Sequence, residues 1–224
     1  MLSLKVPDPT FPGILVGGIA GGVGNTIQIH TVGYAPNAYY VYKQVYNEKG
    51  QPLEGVYADL NGDGKITAED RYRYKGADPK VYLGFSSQFS LNKLTLGFVL
   101  RGSLDNYVYN NVNSNFGTYR GFTAGNNYLS NVVSNVLSTG FTNNQYFSDY
   151  YIENASFLRM DNISLGYNVG RMMYNKINIR ISAAVQNVFV LTNYKGLDPE
   201  VAGGVDFNLY PRPRTFSLGL NVGF

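Results

Sequence analysis

The sequence predicts an all-β fold, an antiparallel meander of long strands with long loops and a short loop helix. Three observations carry that expectation. From Thr215 to Phe224 the even positions Phe216, Leu218, Leu220, Val222 and Phe224 are large and apolar, while Thr215, Ser217, Gly219, Asn221 and Gly223 are small or polar. A strict period of two marks a strand with two unlike faces. The same alternation returns in four earlier segments. Composition is the third observation: charged residues make up only 15% of the 224, aromatics another 15%, with 20 Tyr, 13 Phe and no Trp. Soluble domains carry nearer a quarter charged residues. Little charge, much Tyr and Gly, and strands whose minority face is small and polar together describe a barrel wall wetted by lipid outside and water inside.

Taken in order, the chain begins Met1-Leu-Ser-Leu-Lys-Val-Pro-Asp-Pro, which has neither the basic start nor the apolar run of an export signal. A barrel of the outer membrane must be exported, so the chain is expected to be a fragment. The Gly-rich run 13–24 lacks the Gly-Lys-Ser/Thr of a phosphate loop and is expected to be a loop at a strand edge. An aromatic strand follows over Asn37–Asn47, then turn chemistry at Asn47-Glu-Lys-Gly-Gln-Pro.

The segment Asp59-Leu-Asn-Gly-Asp-Gly-Lys-Ile-Thr-Ala-Glu-Asp70 has the spacing of a calcium loop. Asp59, Asn61 and Asp63 offer side-chain oxygens at loop positions 1, 3 and 5, Lys65 offers its carbonyl at 7, Thr67 stands at 9 and Asp70 at 12. Gly64 at position 6 permits the tight curl. Asp in place of Glu at position 12 and an extended flank at Gly55-Val-Tyr-Ala depart from the helix-loop-helix pattern. Two readings stay open here, a calcium loop or an Asx-rich turn that caps a short helix from Thr67.

Val81, Leu83, Phe85, Ser87, Phe89 and Leu91 share a face, as do Leu94, Leu96, Phe98 and Leu100 opposite Thr95, Gly97, Val99 and Arg101. Asn92-Lys93 between them predicts a tight hairpin. A long polar loop runs from Asp105 to Tyr151, and within it apolar residues at 129, 132, 133, 136 and 137 predict a short helix. The strand over 156–169 carries Ile163, Leu165, Tyr167 and Val169 on one face. Its first half, Leu158-Arg-Met-Asp, has the opposite parity, which points to a bulge or to passage of the strand out of the lipid zone. Ile177, Ile179, Ile181, Ala183 and Val185 then alternate with Asn178, Arg180, Ser182 and Gln186. A further long loop, 192–214, precedes the last strand.

Several function classes are excluded or disfavoured. The net charge of +3 is small and scattered, which argues against nucleic acid. No cysteine is present, so thiolate chemistry and disulfides are out. His30 has no Ser or Cys motif beside it and no two carboxylates are paired as a glycosidase needs, so no catalytic residue is assigned. Two non-barrel alternatives remain: a calcium-binding surface module built on the Asp59 loop, and a soluble carbohydrate-binding β-sandwich using exposed tyrosines.

Four stretches carry a family resemblance: Tyr146-Phe-Ser-Asp-Tyr-Tyr-Ile-Glu-Asn-Ala-Ser-Phe-Leu-Arg-Met-Asp-Asn-Ile-Ser-Leu-Gly-Tyr, Val185-Gln-Asn-Val-Phe, Gly196-Leu-Asp-Pro-Glu and Tyr210-Pro-Arg-Pro-Arg-Thr-Phe-Ser-Leu-Gly-Leu. The chain strongly resembles the SusC/RagA family of TonB-dependent outer-membrane transporters of Bacteroidetes, over residues 1–224 but over the C-terminal barrel strands of a member alone. The resemblance implies an open piece of a barrel wall that lacks the plug, export signal and N-terminal strands. It further implies import of glycan oligosaccharides or peptides with a SusD-like surface lipoprotein, energised through the TonB complex. Resemblance to outer-membrane barrels gives Phe224 a role as a recognition signal for the barrel-assembly machinery.

Overall fold

The computed structural model describes residues 13–123, 131–172 and 177–223. Along the chain the strands are β1 (Ile14–Gly18), β2 (Thr26–His30), β3 (Ala38–Val41), β4 (Gln44–Tyr46), β5 (Pro52–Tyr57) and β6 (Tyr72–Gly76). They continue with β7 (Val81–Leu91), β8 (Leu94–Leu104), β9 (Tyr107–Tyr109), β10 (Ile152–Asn154), β11 (Phe157–Met172), β12 (Ile177–Thr192) and β13 (Thr215–Gly223). Short helices α1 (Asn111–Phe116), α2 (Arg120–Thr123) and α3 (Val136–Thr139) lie between β9 and β10. The chain forms two compact units, and each is built from several separate stretches of sequence.

One unit is a single antiparallel sheet in the order β13-β12-β11-β8-β7, which is sequence order with neighbours adjacent throughout. The sheet is open at β7 and β13. Register puts the alternating residues of all five strands in phase: Leu96 pairs with both Phe89 and Leu165, Leu165 with Ala183, and Ala183 with Leu218. Directly paired residues share a face, so one side of the sheet is a continuous field of Leu, Ile, Val and Phe. The opposite side is mainly Ser, Gly, Thr and Asn with a few arginines, and it also carries Tyr82, Val99, Phe157 and Val190. The apolar side is not a core: Leu218 is 89%, Phe216 73% and Leu220 69% exposed. Within this unit no second sheet covers it, as a sandwich would require.

Two expectations about the connections hold. Leu91 pairs with Leu94, so Asn92-Lys93 is a two-residue turn, and Asn92 takes the left-handed φ of 53° that tight hairpins need at their first position. The pairing of β11 slips between Met160 and Asn162, so of the two readings of the parity change it is the bulge that the strand adopts. Pairing of Val81 with Leu104, and of Phe157 with both Ser103 and Thr192, puts the starts of β7 and β11 beside the ends of β8 and β12. All long connections therefore leave from one end of the sheet, and the tight hairpin turn closes the other.

The second unit is assembled from 1–79, 106–155 and 194–209. Its sheets are short: β1-β2-β3-β6, β4-β5 and β10-β9. They enclose a real core of Ile27, Tyr39, Val41, Tyr109, Phe141, Tyr151 and Val205. Tyr39 is fully buried, and its hydroxyl is shared between the carbonyls of Gly204 at 2.7 Å and Tyr107 at 2.8 Å, so that its own polar atom is satisfied. The Gly-rich run 13–24 is not a loop alone. It supplies β1, which pairs with β2 from Ile14↔His30 to Gly18↔Thr26, and the turn that joins them. The loop helix begins later than its apolar spacing suggests, at Val136, because the Val133 amide donates to the Phe116 carbonyl and the chain there is not free to coil. Tyr128 to Ser130 of that expected helix lie outside the described residues.

Candidate functional site

Two places carry concentrations of chemistry, the polar face of the large sheet and the Asp59 loop of the second unit. On the sheet, Arg101 and Arg159 are directly paired across β8 and β11. Like charges placed opposite one another repel, and the bulge resolves half of the problem. It turns Asp161 onto the polar face, where its carboxylate takes a bidentate pair from Arg101, Nε to Oδ2 and Nη2 to Oδ1 at 3.0 Å. Arg159 is only 1% exposed, packs against the Phe157 ring 5.6 Å away and donates from Nη1 to Asn187 Oδ1 at 2.9 Å. Asn187 has a left-handed φ of 51° and donates in turn to the Arg212 carbonyl at 2.6 Å. Further along β12, Arg180 lies across Gly166, where a Cβ would come within 2.9 Å of its Nη2. A larger residue at 166 would push that guanidinium away.

The Asp59 loop curls around its first acid. Asp59 accepts from the amides of Gly62 at 2.6 Å and Gly64 at 2.8 Å, and both glycines adopt left-handed φ values of 77° and 78°. Asn61 Oδ1 accepts from the Asp63 amide, and Asp63 Oδ1 from the Lys65 amide. Asp70 closes the loop from the other side. Its buried carboxylate accepts from the amides of Thr67 at 2.8 Å, Leu60 at 2.9 Å and Asn61 at 3.4 Å. Those bonds, led by the one from Thr67, hold the Asp70 carboxyl below the usual range. Thr67 and Asp70 form a reciprocal capping box on the turn Ala68–Asp70. Among the described residues, no three His, Asp or Glu side chains gather where one ion could be held. As a donor set for calcium, the loop therefore offers the oxygens of Asp59, Asn61 and Asp63 and the Lys65 carbonyl, while Asp70 is engaged as a clasp.

Other polar groups of the second unit are structural. Glu54 of β5 accepts from the Thr142 amide at 2.9 Å, the Thr142 hydroxyl at 2.8 Å and the Asn143 amide at 2.8 Å. Burial works against its charge, and these bonds outweigh that to hold the carboxyl below its usual value. Tyr57, pushed up to about 12 chiefly by burial, donates to Gln145 Oε1 at 2.7 Å. His30 ends β2 with its Nε2 2.9 Å from Asn37 Oδ1. Both border a hollow of about 360 Å³ lined otherwise by Val16, Gln28, Val205 and Phe207. Nothing there resembles a nucleophile and its base. Phe224, expected from resemblance to act in assembly, lies outside the described residues.

Sequence reading singled out the Asp59 loop but not the arginine face. Arg101 and Arg180 were visible as polar-parity positions strand by strand. Only the register shows that they and Arg159 share one face.

A single sheet, apolar and exposed on one side, small and polar on the other, with long connections at one end, is a stretch of outer-membrane β-barrel wall. Comparison with known proteins agrees. No family model matches the chain. It is 44% identical over 214 residues to the TonB-dependent receptor SusC of Bacteroides thetaiotaomicron, which covers 92% of this chain and 21% of that protein. It is 26% identical over 221 residues to the TonB-dependent receptor P3 of Formosa agariphila, covering 83% of this chain and 22% of that protein. Among solved structures, the RagAB peptide transporter superposes with a TM-score of 0.71 at 26% identity, covering 88% of this chain and 24% of that one. In sequence and fold the chain corresponds to part of a SusC/RagA-type TonB-dependent receptor, a family of the outer membrane. It spans about a fifth of the length of the curated relatives it matches.

Proposed function

We propose that this chain supplies part of the barrel wall of an outer-membrane importer of large nutrients, glycan oligosaccharides or peptides, which works with a SusD-like surface lipoprotein and draws energy from TonB. The observation that carries the reading is the five-strand register, which keeps most apolar strand positions of the sheet, Leu96, Leu165, Ala183 and Leu218 among them, in phase over one face and leaves a largely small and polar face for the barrel interior. The similarity to TonB-dependent receptors supports the coupling, and the RagAB peptide transporter lends support to a surface partner and to peptides as one cargo class. Those relatives are receptors and transporters, which fits a chain with no catalytic role. For the Asp59 loop we propose calcium, on its spacing alone, as a stiffener of the unit that carries it. The reading is tested by deleting the gene in the producing bacterium and measuring uptake of labelled oligosaccharides and peptides. Loss of uptake of one class, restored by the intact gene and not by one with the TonB-binding region removed, is expected. Unchanged uptake of every class tried would overturn it.

A further inference from the structure

Asn61–Gly62 is the one Asn-Gly pair in the sequence, and it stands exposed in the Asp59 loop, as do Asp59 and Asp63 on either side of it. Asparagine is a chemically labile side chain, and its lifetime depends on whether the backbone nitrogen of the next residue can reach its Cγ. Glycine removes the obstacle, since no Cβ stands beside that nitrogen. At Gly62 the space around the Cβ position is open, with no heavy atom within 4 Å beyond the chain neighbours.

Three hydrogen bonds that hold the curl of the loop also bear on this reaction. The Gly62 amide, the attacking group, donates to Asp59 Oδ1 at 2.6 Å, so a carboxylate is in place to take its proton. The Asp63 amide donates to Asn61 Oδ1 at 3.0 Å, which polarises the side-chain carbonyl and supports the charge that gathers on its oxygen as the new bond forms. Asn61 Nδ2, the departing group, donates to Asp63 Oδ2 at 3.4 Å, so both ends of the carboxamide are fixed. The turn closed between Asn61 Oδ1 and the Asp63 amide contains Cγ and the Gly62 nitrogen in a single ring of atoms, so bringing them together takes rotation rather than diffusion.

We propose that Asn61–Gly62 is a site of self-modification. The Gly62 nitrogen bonds to Asn61 Cγ, the Cγ–Nδ2 bond breaks, and ammonia leaves with the amide proton that Asp59 relays through water. Water then opens the imide at either carbonyl to give an aspartate or an isoaspartate, so water is consumed, ammonia is released and nothing is oxidised or reduced. The aspartate adds a carboxylate to those of Asp59 and Asp63. The isoaspartate lengthens the main chain by a methylene and draws the Gly62 and Gly64 amides off Asp59. On the calcium reading given above, the loop's hold on the ion thus changes with the age of the protein, upward through one product and downward through the other.

The full chain in detergent micelles is incubated at neutral pH in heavy-oxygen water, with EDTA or with calcium, and its proteolytic peptides are resolved by chromatography and mass spectrometry. The peptide holding Asn61 is expected to take up heavy oxygen and to split into aspartyl and isoaspartyl forms, a pair that the imide gives and direct hydrolysis does not. The peptide holding Asn92, exposed in its turn but followed by Lys93, should stay intact. Asp59→Asn should slow the change about tenfold or more in the folded chain, and should leave the rate unaltered in urea, where the hydrogen bonds of the loop are gone. Calcium should slow it too, because an ion held by Asp59 and Asn61 withdraws the base and pins the side chain; that arm alone rests on the calcium reading. An Asn61 that outlasts Asn92, an aspartate formed without isoaspartate, or a folded-state rate unchanged in Asp59→Asn would overturn the inference. A modification that proceeds as described but is indifferent to calcium would support the inference and overturn the calcium reading.

Discussion

Leu165 tests the assignment of faces most severely. It lies near the middle of the 16-residue β11, on the apolar face, paired with Leu96 on one side and Ala183 on the other. Sixteen residues at about 3.3 Å, tilted about 40° as barrel strands are, reach roughly 40 Å across the membrane, more than the apolar band of about 25 Å. A central residue therefore sits near the midplane. Leu165→Arg should cost about 2–4 kcal/mol, the penalty for a cation facing mid-depth lipid. Gln186→Arg, on the polar face of the neighbouring strand, keeps its charge in water and should cost less than about 1 kcal/mol. A gap of about 2 kcal/mol is a factor of roughly 30 in folding equilibrium. It can be read from urea titrations of a barrel containing this segment, folded into lipid vesicles and scored by heat-modifiable gel mobility. Equal costs at the two positions, or a larger cost at Gln186, would refute the facing of the sheet.

Three further outcomes are expected. Calcium should raise the melting temperature of the chain and Asp63→Ala should remove that response; at a hundredfold excess over Kd the gain is about 2.7 kcal/mol, and a melt indifferent to calcium would reduce the loop to a capped turn. The Glu54 clamp should respond to acid. Because its carboxyl is held below the ordinary value of 4.5, its contribution is complete above that pH and lost as pH falls through the lowered value. The Thr142 and Asn143 amide resonances should move with that titration and stop moving in Glu54→Gln; shifts unchanged by the substitution would assign the effect elsewhere. Finally, Phe224→Leu keeps most of the apolar area, so normal outer-membrane levels are expected if Phe224 only packs, whereas its proposed role in assembly predicts reduced levels and a larger deficit when polar residues are appended after it.

What could be read from the residues was the large sheet, and for a physical reason. Each of its strands faces two unlike environments, so Leu96 beside Gly97, or Ile181 beside Ser182, records its surroundings in alternation. Even the bulge at Asp161 left a mark as a change of parity at Leu158-Arg-Met-Asp. The second unit left no such record. Ile27, Gln28 and Ile29 of β2 are buried in succession, and strands of three to six residues built around Tyr39 and Tyr109 are too short to show a period. The loop helix was displaced because one long-range hydrogen bond, from Val133 to Phe116, outweighed its local spacing. The arginine face was hidden for a different cause: charge that looks scattered along the chain is gathered by register, which no single strand contains.

The central claim is that the two faces of this sheet see lipid and water. The chain has no cysteine, so single cysteines placed at each position from 177 to 186 can be spin-labelled one at a time in the membrane-embedded barrel. Accessibility to oxygen, which concentrates in lipid, should peak at Ile177, Ile179, Ile181, Ala183 and Val185, and accessibility to a water-soluble nickel chelate at Asn178, Arg180, Ser182, Ala184 and Gln186. Two opposed oscillations of period two are the predicted result; flat profiles, or oscillations of reversed phase, would contradict it.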